Sequence, residues 1–474
     1  MYEEEDSQSH MESILLHPDD FEAGNLRNHL PAWQQLFLCF GHTAQSKQVL
    51  SWIEHGVQLD FVAVHAKSQL QHPRFGARLQ LVEKLLTKTV GKNNVAKLLM
   101  GNKPSSVQFA NRVSCMQYSD FVRDTIHKLA QTGAMKPWPG RAPPVVISGL
   151  GVVASRKGKL RLILDCRYLN LWLRYCKLKY ERLADVTKYL QEGHWFVLTD
   201  LKSGYHHVPL HPDSWTYFGI EFEGQVYTYT HMPFGEASAP GDFTTLMGSV
   251  CTPVRQVGLC LSSYLDDGLF AAASKGRCFF MAKTLVLLLT SLDFFVSWNK
   301  CQLVPTQQGR FLGLLVDSAS CQLLVPKDKV DYIKELIHAA LQSSAVTRRQ
   351  LASIAGVLMS IAPAVYLAPL YTRLLYRAMT GSSGWDVEVE DSQIAEPVLL
   401  YWLHNIDMVN GRTWLRSTEY IHVVGDDSSV GYAAFTPNSE LPSSMIISLH
   451  KSSGASHSKT CDILSRHVTI AASS

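Results

Sequence analysis

Apolar and polar positions mark one unit of the chain above all others, a β-hairpin over residues 257–272. Two short apolar runs, 257–263 and 268–272, flank Tyr264-Leu265-Asp266-Asp267, so the acids fall at a corner anchored on a core. A second apolar run, 195–199, ends on another acid, Asp200. Upstream, Phe121, Val122, Thr125, Ile126 and Leu129 share one face of a helix over 118–135 that Gly133 stops. Pro137, Pro139, Pro143 and Pro144 then impose an extended segment, followed by strands at 145–147 and 151–153. Residues 155–165 read as strand, basic turn, strand, and 218–229 alternate as a hairpin around Glu223-Gly224. Short helices are expected at 185–190, closed by Gly193, and at 243–247, after the turn 232–240. A strongly apolar helix covers 278–293, and strands follow at 299–303 and 310–317.

The flanks are helical. Residues 1–24 form an acidic tail, and 25–103 carry short apolar clusters such as Leu30, Trp33, Leu36 and Phe37. Beyond Pro326, Val330, Ile333, Leu336 and Ile337 repeat at helical spacing, and Thr347 caps a helix over 348–359. Residues 381–384 form a linker, 396–410 a helix, and 420–435 a strand, an acidic turn and a strand. The expected domains are 1–110, an acidic tail and helical extension; 111–325; 326–380, helical; and 381–474.

Composition narrows the class. Hydrophobic residues at 46% and charged residues at 18% describe a globular chain. Lys and Arg number 44 against 41 Asp and Glu, so a basic surface, if one exists, is local. Ten cysteines without a Cys-x-x-Cys pair exclude a structural zinc site and read as reduced core thiols. The start is acidic, opposite to a basic leader, and the weakly charged run 351–370 is broken by Pro363 and Pro369. The expectation is no signal peptide, no membrane span and an intracellular setting.

Chemistry concentrates at the acids. Adjacent like charges in one turn are costly unless a cation sits on them, and carboxylates on neighbouring strand ends suit Mg²⁺. Four cations lie between Arg156 and Arg161, where they either form a solvated corner or clamp a polyphosphate. Tyr205 lies five positions after Asp200, either as a pocket wall or as a core tyrosine. His206, His207 and His211 lack the spacing of a zinc site.

The motif order resembles a reverse transcriptase. It runs from the basic strand with Arg161 through Asp200, Pro233-Phe234-Gly235 with Ala239-Pro240, Tyr264-Leu265-Asp266-Asp267 and Lys300-Cys301 to Phe311-Leu312-Gly313. The resemblance covers about residues 118–379 and has the flavour of LTR-type retroelements. Residues 26–33 and 49–53 look most like the DIRS group of tyrosine-recombinase retrotransposons. It implies an α+β right-hand polymerase fold of fingers, palm and thumb with a ferredoxin-like palm sheet, and RNA-directed DNA polymerase activity. Asp200, Asp266 and Asp267, with the Leu201 carbonyl, match the ligands of two Mg²⁺ ions, Mn²⁺ being the alternative. Lys300 matches a general-acid lysine. Arg156, Lys157, Arg161, Tyr205, Phe234, Gly235 and Tyr264 match nucleotide-binding positions, Tyr205 as the gate against a 2′-hydroxyl. Phe311, Leu312, Gly313, Arg348, Arg349 and Gly356 match template-primer contacts.

Asp426 matches the first metal acid of RNase H. Residues 457–464 lack the expected next acid, so the resemblance implies a partial RNase H-like segment without activity. Implied partners are an RNA template, a DNA primer, deoxynucleotides and other retroelement polyprotein domains. Two alternatives stay open: a catalytically silent relative that binds nucleic acid, and a DNA-templated polymerase of the same palm type.

Overall fold

A computed structural model describes residues 26–41, 43–67, 74–155, 158–175, 177–343, 345–380, 384–389, 392–415, 424–427 and 432–435. The strand Trp195–Asp200 lies inside a four-stranded sheet. One neighbour is Asp267–Ala272, which pairs in turn with Cys260–Tyr264; the other is Gln302–Thr306, and all three pairings are antiparallel. With the helices Ala239–Gln256 and Lys275–Ser291 between them, the strands follow the β-α-β-β-α-β order of a ferredoxin-like sheet. Both helices pack on it. Lys275–Ser291 buries Cys278, Met281, Ala282, Leu285, Val286 and Leu289, which explains its apolar sequence. Helix Ala239–Gln256 is much longer than the five residues expected, because Val250, Cys251 and Val254 continue its buried face. The following strand therefore begins at Cys260 and not at 257.

The fingers contain a five-stranded sheet in the order Val107–Gln108, Val146–Ile147, Gly219–Phe222, Gln225–Tyr229, Met135–Pro137. A separate hairpin pairs Leu150–Ala154 with Leu160–Leu164. The helix expected over 118–135 is Ser119–Gln131, since Gly133 takes a φ of 77° and Met135 enters a strand. The helix expected over 185–190 shortens to Leu183–Val186.

Two domain boundaries differ from the sequence reading. Trp33, Phe37, Val49 and Ile53 belong to the same core as the palm residues Val197, Phe243 and Phe270, so residues 26–63 are not a separate extension. The Trp33 indole donates to the Leu292 carbonyl at 3.2 Å, and its ring lies 5.8 Å from Phe294. At the other end, Ser392–Asn405 packs on Lys327–Gln342 and Ala368–Ala378, so a cut at 380 divides one helical bundle. Tyr401 stacks on Tyr371 at 4.0 Å, and Trp402 is fully buried. The described residues through Arg412 form one compact unit and those from Thr413 a second. In the second, Val424–Asp427 pairs with Tyr432–Phe435, with Asp426 opposite Ala433. Among the described residues no helix is long and apolar enough to cross a membrane.

Candidate active site

Strand register builds the acidic centre. Asp267 stands opposite Asp200 on one side and Tyr264 on the other, and Asp266 occupies the turn between the hairpin strands. Leu265 makes that turn with a φ of 55°, outside the region ordinary residues prefer. The buried Leu201 donates its amide to the Asp266 carbonyl at 3.0 Å, tying the end of one strand to the turn. Gly268 is required for the fit, because a Cβ there would lie 2.4 Å from Thr199 Oγ1.

The carboxylates are starved of positive charge. Burial, then Asp266 and then Asp200, pushes Asp267 up to about 6; burial and Asp200 also raise Asp266. Lys300 answers part of this demand, with Nζ at 2.8 and 3.1 Å from the two Asp200 oxygens. The Asp200 backbone is pinned as well: its amide donates to Cys301 Sγ at 3.2 Å and its carbonyl accepts from Ser297 at 2.7 Å. Among the described residues no group of three or more His, Cys, Asp or Glu side chains is placed to hold a metal ion as it stands. Asp266 and Asp267, both pushed toward the protonated form, and Asp200 with an ammonium drawn onto it nevertheless offer the hard oxygen donors that fit divalent cations.

Of the nucleotide-binding candidates, Tyr264 and Tyr205 lie beside the acids. Tyr205 is half-buried, 4.8 Å from the Phe234 ring and 5.8 Å from Phe243. Burial, followed by Tyr180, Asp266 and Tyr264, pushes its hydroxyl up to about 12, so it stays protonated beside the acids. Phe234 is 51% exposed. Gly235 has a φ of 105° and a Cβ there would meet the Leu164 carbonyl at 2.9 Å, so the loop lies directly on the strand that carries Arg161. Arg161 is exposed, across from Val153; Arg156 and Lys157 lie outside the described residues.

The template-primer candidates divide. Leu312 and Gly313 form the left-handed tip of a hairpin whose Phe311 is buried against Leu314. Gly356 is an exposed position on Arg348–Ser360 with nothing within 4 Å of a would-be Cβ, an open surface for a close approach. Arg348 lies over the Trp385 ring at 4.9 Å, and Arg349 is held by Asp386 at 2.6 and 2.8 Å. His206 and His207 are buried and kept neutral, near a pKa of about 4, by burial; His207 bridges the Gly204 carbonyl and the Phe295 amide.

Several residues of the site carry no sequence signal. Asn170 donates to the Gly235 carbonyl and accepts from the Ala237 amide, both at 2.9 Å, fixing the wall loop from a distant helix. Glu181 accepts from the Ser263 amide and from Arg255, which in turn donates to the Leu261 carbonyl, so the two clamp the Tyr264 strand. Tyr180 packs 5.3 Å from Tyr264. Glu236 is a buried acid in the wall loop, and Ser238 Oγ lies 3.0 Å from it and 2.8 Å from Asp242. One hydroxyl hydrogen cannot serve two carboxylates, so one acid must itself carry a proton. Burial pushes Glu236 up to about 7 and Asp242 up to about 6.

Residues 155–316 match a family described as reverse transcriptase (RNA-dependent DNA polymerase). The Gag-Pol polyprotein of walleye dermal sarcoma virus is 26% identical over 204 residues, 42% of this chain and 11% of the relative. The retrovirus-related Pol polyprotein from the Drosophila melanogaster transposon gypsy is 26% identical over 205 residues, 42% and 19% of the two chains. The chain thus spans less than a fifth of the length of these relatives. The foamy viral protease-reverse transcriptase solved with an RNA/DNA hybrid aligns with a TM-score of 0.54 at 17% identity, covering 76% of this chain and 50% of that one. The same protein with dsDNA aligns with a TM-score of 0.54 at 17% identity, covering 83% and 81%. The shared fold is that of a right-hand polymerase.

Proposed function

We propose that this chain, which carries a reverse transcriptase domain of the retroviral and LTR-element kind, is an RNA-directed DNA polymerase of a retrotransposon that extends a DNA primer with deoxynucleotides. The observation that carries the reading is the register of the palm strands, which sets Asp267 opposite Asp200 with Asp266 in the adjoining turn. Asp200, Asp266, Asp267 and the Leu201 carbonyl would hold the divalent ions. Mg²⁺ or Mn²⁺ bound there supplies charge neutralisation and activation of the attacking hydroxyl in phosphoryl transfer.

The chain's own residues position and orient. Phe234 and Gly235 wall the sugar and base, Tyr205 stands where a 2′-hydroxyl would project, and Tyr264 borders the same pocket. Arg161, with Arg156 and Lys157, would neutralise the triphosphate. Lys300, whose Nζ bonds Asp200, would have an ammonium proton to give to a departing oxyanion. Phe311, Leu312 and Gly313 support the primer, and Gly356 with Arg348 and Arg349 faces the duplex. Their helix favours a close approach at Gly356; the arginines would first have to leave Trp385 and Asp386.

The finer assignment is a DIRS-group element acting inside the cell, with Asp426 as a relic of an incomplete RNase H-like segment that does not cleave RNA. Primer extension on an RNA template with Mg²⁺ tests the proposal. Extension that disappears in Asp266→Asn supports it. Binding of the hybrid without extension marks a silent relative, and extension confined to DNA templates marks a DNA-templated enzyme.

A further inference from the structure

Residues 74–103 contain seven Lys and Arg against one acid, Glu83, a local charge of +6 in a chain whose formal net charge is +3. Helices Phe75–Val90 and Lys92–Leu98 carry most of it. Their apolar side is already used, since Val82 and Leu86 are buried with Val107, Phe109, Tyr168 and Trp172. Lys84, Lys88, Lys92, Lys97 and Lys103 face solvent, and among the described residues none of the five forms an ion pair. A merely solvated helix face intersperses acids and bases, as Lys327–Gln342 does in this molecule. The N-terminal helices carry a single acid, Glu83, among their bases.

Its position adds a direction. The Tyr168 hydroxyl donates to the Leu98 carbonyl at 2.9 Å and accepts from the Ser105 amide at 3.0 Å. Tyr168 belongs to the four-residue helix Arg167–Asn170, whose Asn170 holds the nucleotide-wall loop. From that helix the chain runs on through Lys177 and Lys179, both exposed, with Leu178 against Gly241 and Tyr180 against Tyr264. Two further exposed lysines, Lys177 and Lys179, therefore stand on the chain between that helix and the catalytic hairpin. The segment arrives at the Cys260–Tyr264 edge of the palm sheet, whereas the thumb helices follow from the opposite edge, Gln302–Thr306.

We infer that this face binds the sugar–phosphate backbone of the single-stranded template before it is copied, leaving the duplex to the thumb side. The inference rests on the polymerase reading for the template's direction of travel. Lysines spaced along two exposed helices bind phosphates without reading sequence, and each contact releases counterions.

The test is fluorescence anisotropy of the full chain, without nucleotides, against two RNA/DNA hybrids across a salt series. One hybrid has a template overhang of about 16 nucleotides, matching the span of single-strand sites; the other is blunt. The variant K84Q/K88Q/K92Q/K97Q/K103Q should bind the overhang hybrid about tenfold more weakly, with the salt slope reduced by about 0.7 for each lysine that engages. Its affinity for the blunt hybrid should not change, nor should the control K47Q/K128Q differ from wild type on either. Unchanged affinity and slope for the overhang hybrid would mean a solvated face and overturn the inference. Equal weakening on both hybrids would overturn the template assignment. Wild-type extension of a primer with a one-nucleotide overhang is read in parallel, so failure of the polymerase reading registers separately from failure at the platform.

Discussion

At the scale of single residues, charge demand and shape decide what each position can do. Asp266 is raised by burial and by Asp200, so Asp266→Asn relieves repulsion while deleting a proposed metal ligand. Extension should fall by about a hundredfold or more, with the thermal midpoint unchanged or higher; a lower midpoint would show that the acid supports the fold. Tyr205 packs between Phe234 and Phe243, so Tyr205→Ala opens space where the sugar would lie. Discrimination against ribonucleotides should drop roughly ten- to hundredfold, measured as the ratio of kcat/KM for matched dNTP and rNTP.

Glu236 makes a pH prediction whose sign follows from its burial. Its pKa rises from 4.5 unfolded to about 7 folded, so the folded protein holds the extra proton. That contribution to stability is complete below about 4.5 and is lost as pH rises through about 7. Asp242, Cys166 and Ser238 face the same carboxyl, and Asp242 titrates in the same direction. Glu236→Gln reproduces the protonated acid, since its amide donates to Ser238 Oγ. It should therefore flatten the decline in thermal midpoint between pH 5 and 8, and an unaltered slope would place the titration elsewhere.

At the scale of elements, the hairpin and the wall loop depend on close backbone approach. A methyl at Gly268 meets Thr199 Oγ1, and a side chain at Gly235 meets both the Leu164 carbonyl and an unfavourable φ. Gly268→Ala should cost about 1–3 kcal/mol in unfolding free energy through overpacking between the two acid-bearing strands. Gly235→Ala should cost a similar amount, about 1–3 kcal/mol, and raise KM for nucleotide more than it lowers kcat, since it shifts the wall and not the acids. The hairpin was legible in sequence because its apolar runs and its turn are local. So were the strand ending at Asp200 and the apolar helix before Leu292. The clamps were not: Asn170, Glu181 and Tyr180 act on loops and strands far along the chain, and an isolated polar residue has no periodicity to betray its partner. Glu236 was hidden for the same reason, as its neighbours in sequence look like an ordinary turn.

At the scale of the whole molecule, helices distant in sequence share a core across the segment boundaries read from the sequence. Periodicity locates a helix but not what it packs against, so the sequence marks helices near Leu30–Phe40 and Ser392–Asn405 without naming their partners. Removing residues 1–110 exposes the sites that Trp33, Phe37, Val49 and Ile53 fill. Each buried side chain of this size contributes about 1.5–3 kcal/mol, against a total stability of about 5–15 kcal/mol for a domain. The truncated chain should therefore lack a cooperative melting transition and collect in the insoluble fraction. A soluble, cooperatively melting 111–474 fragment would show that the N-terminal helices are dispensable.

The bond from the Trp33 indole to the Leu292 carbonyl spans 259 positions. During synthesis the helix bearing Trp33 leaves the ribosome long before its acceptor exists. Its oily side must wait, uncovered, until the intervening 259 positions have been made. Cotranslational capture by a chaperone would protect exactly that interval, and ribosome-stalled nascent chains ending before and after residue 292 should differ sharply in protease resistance.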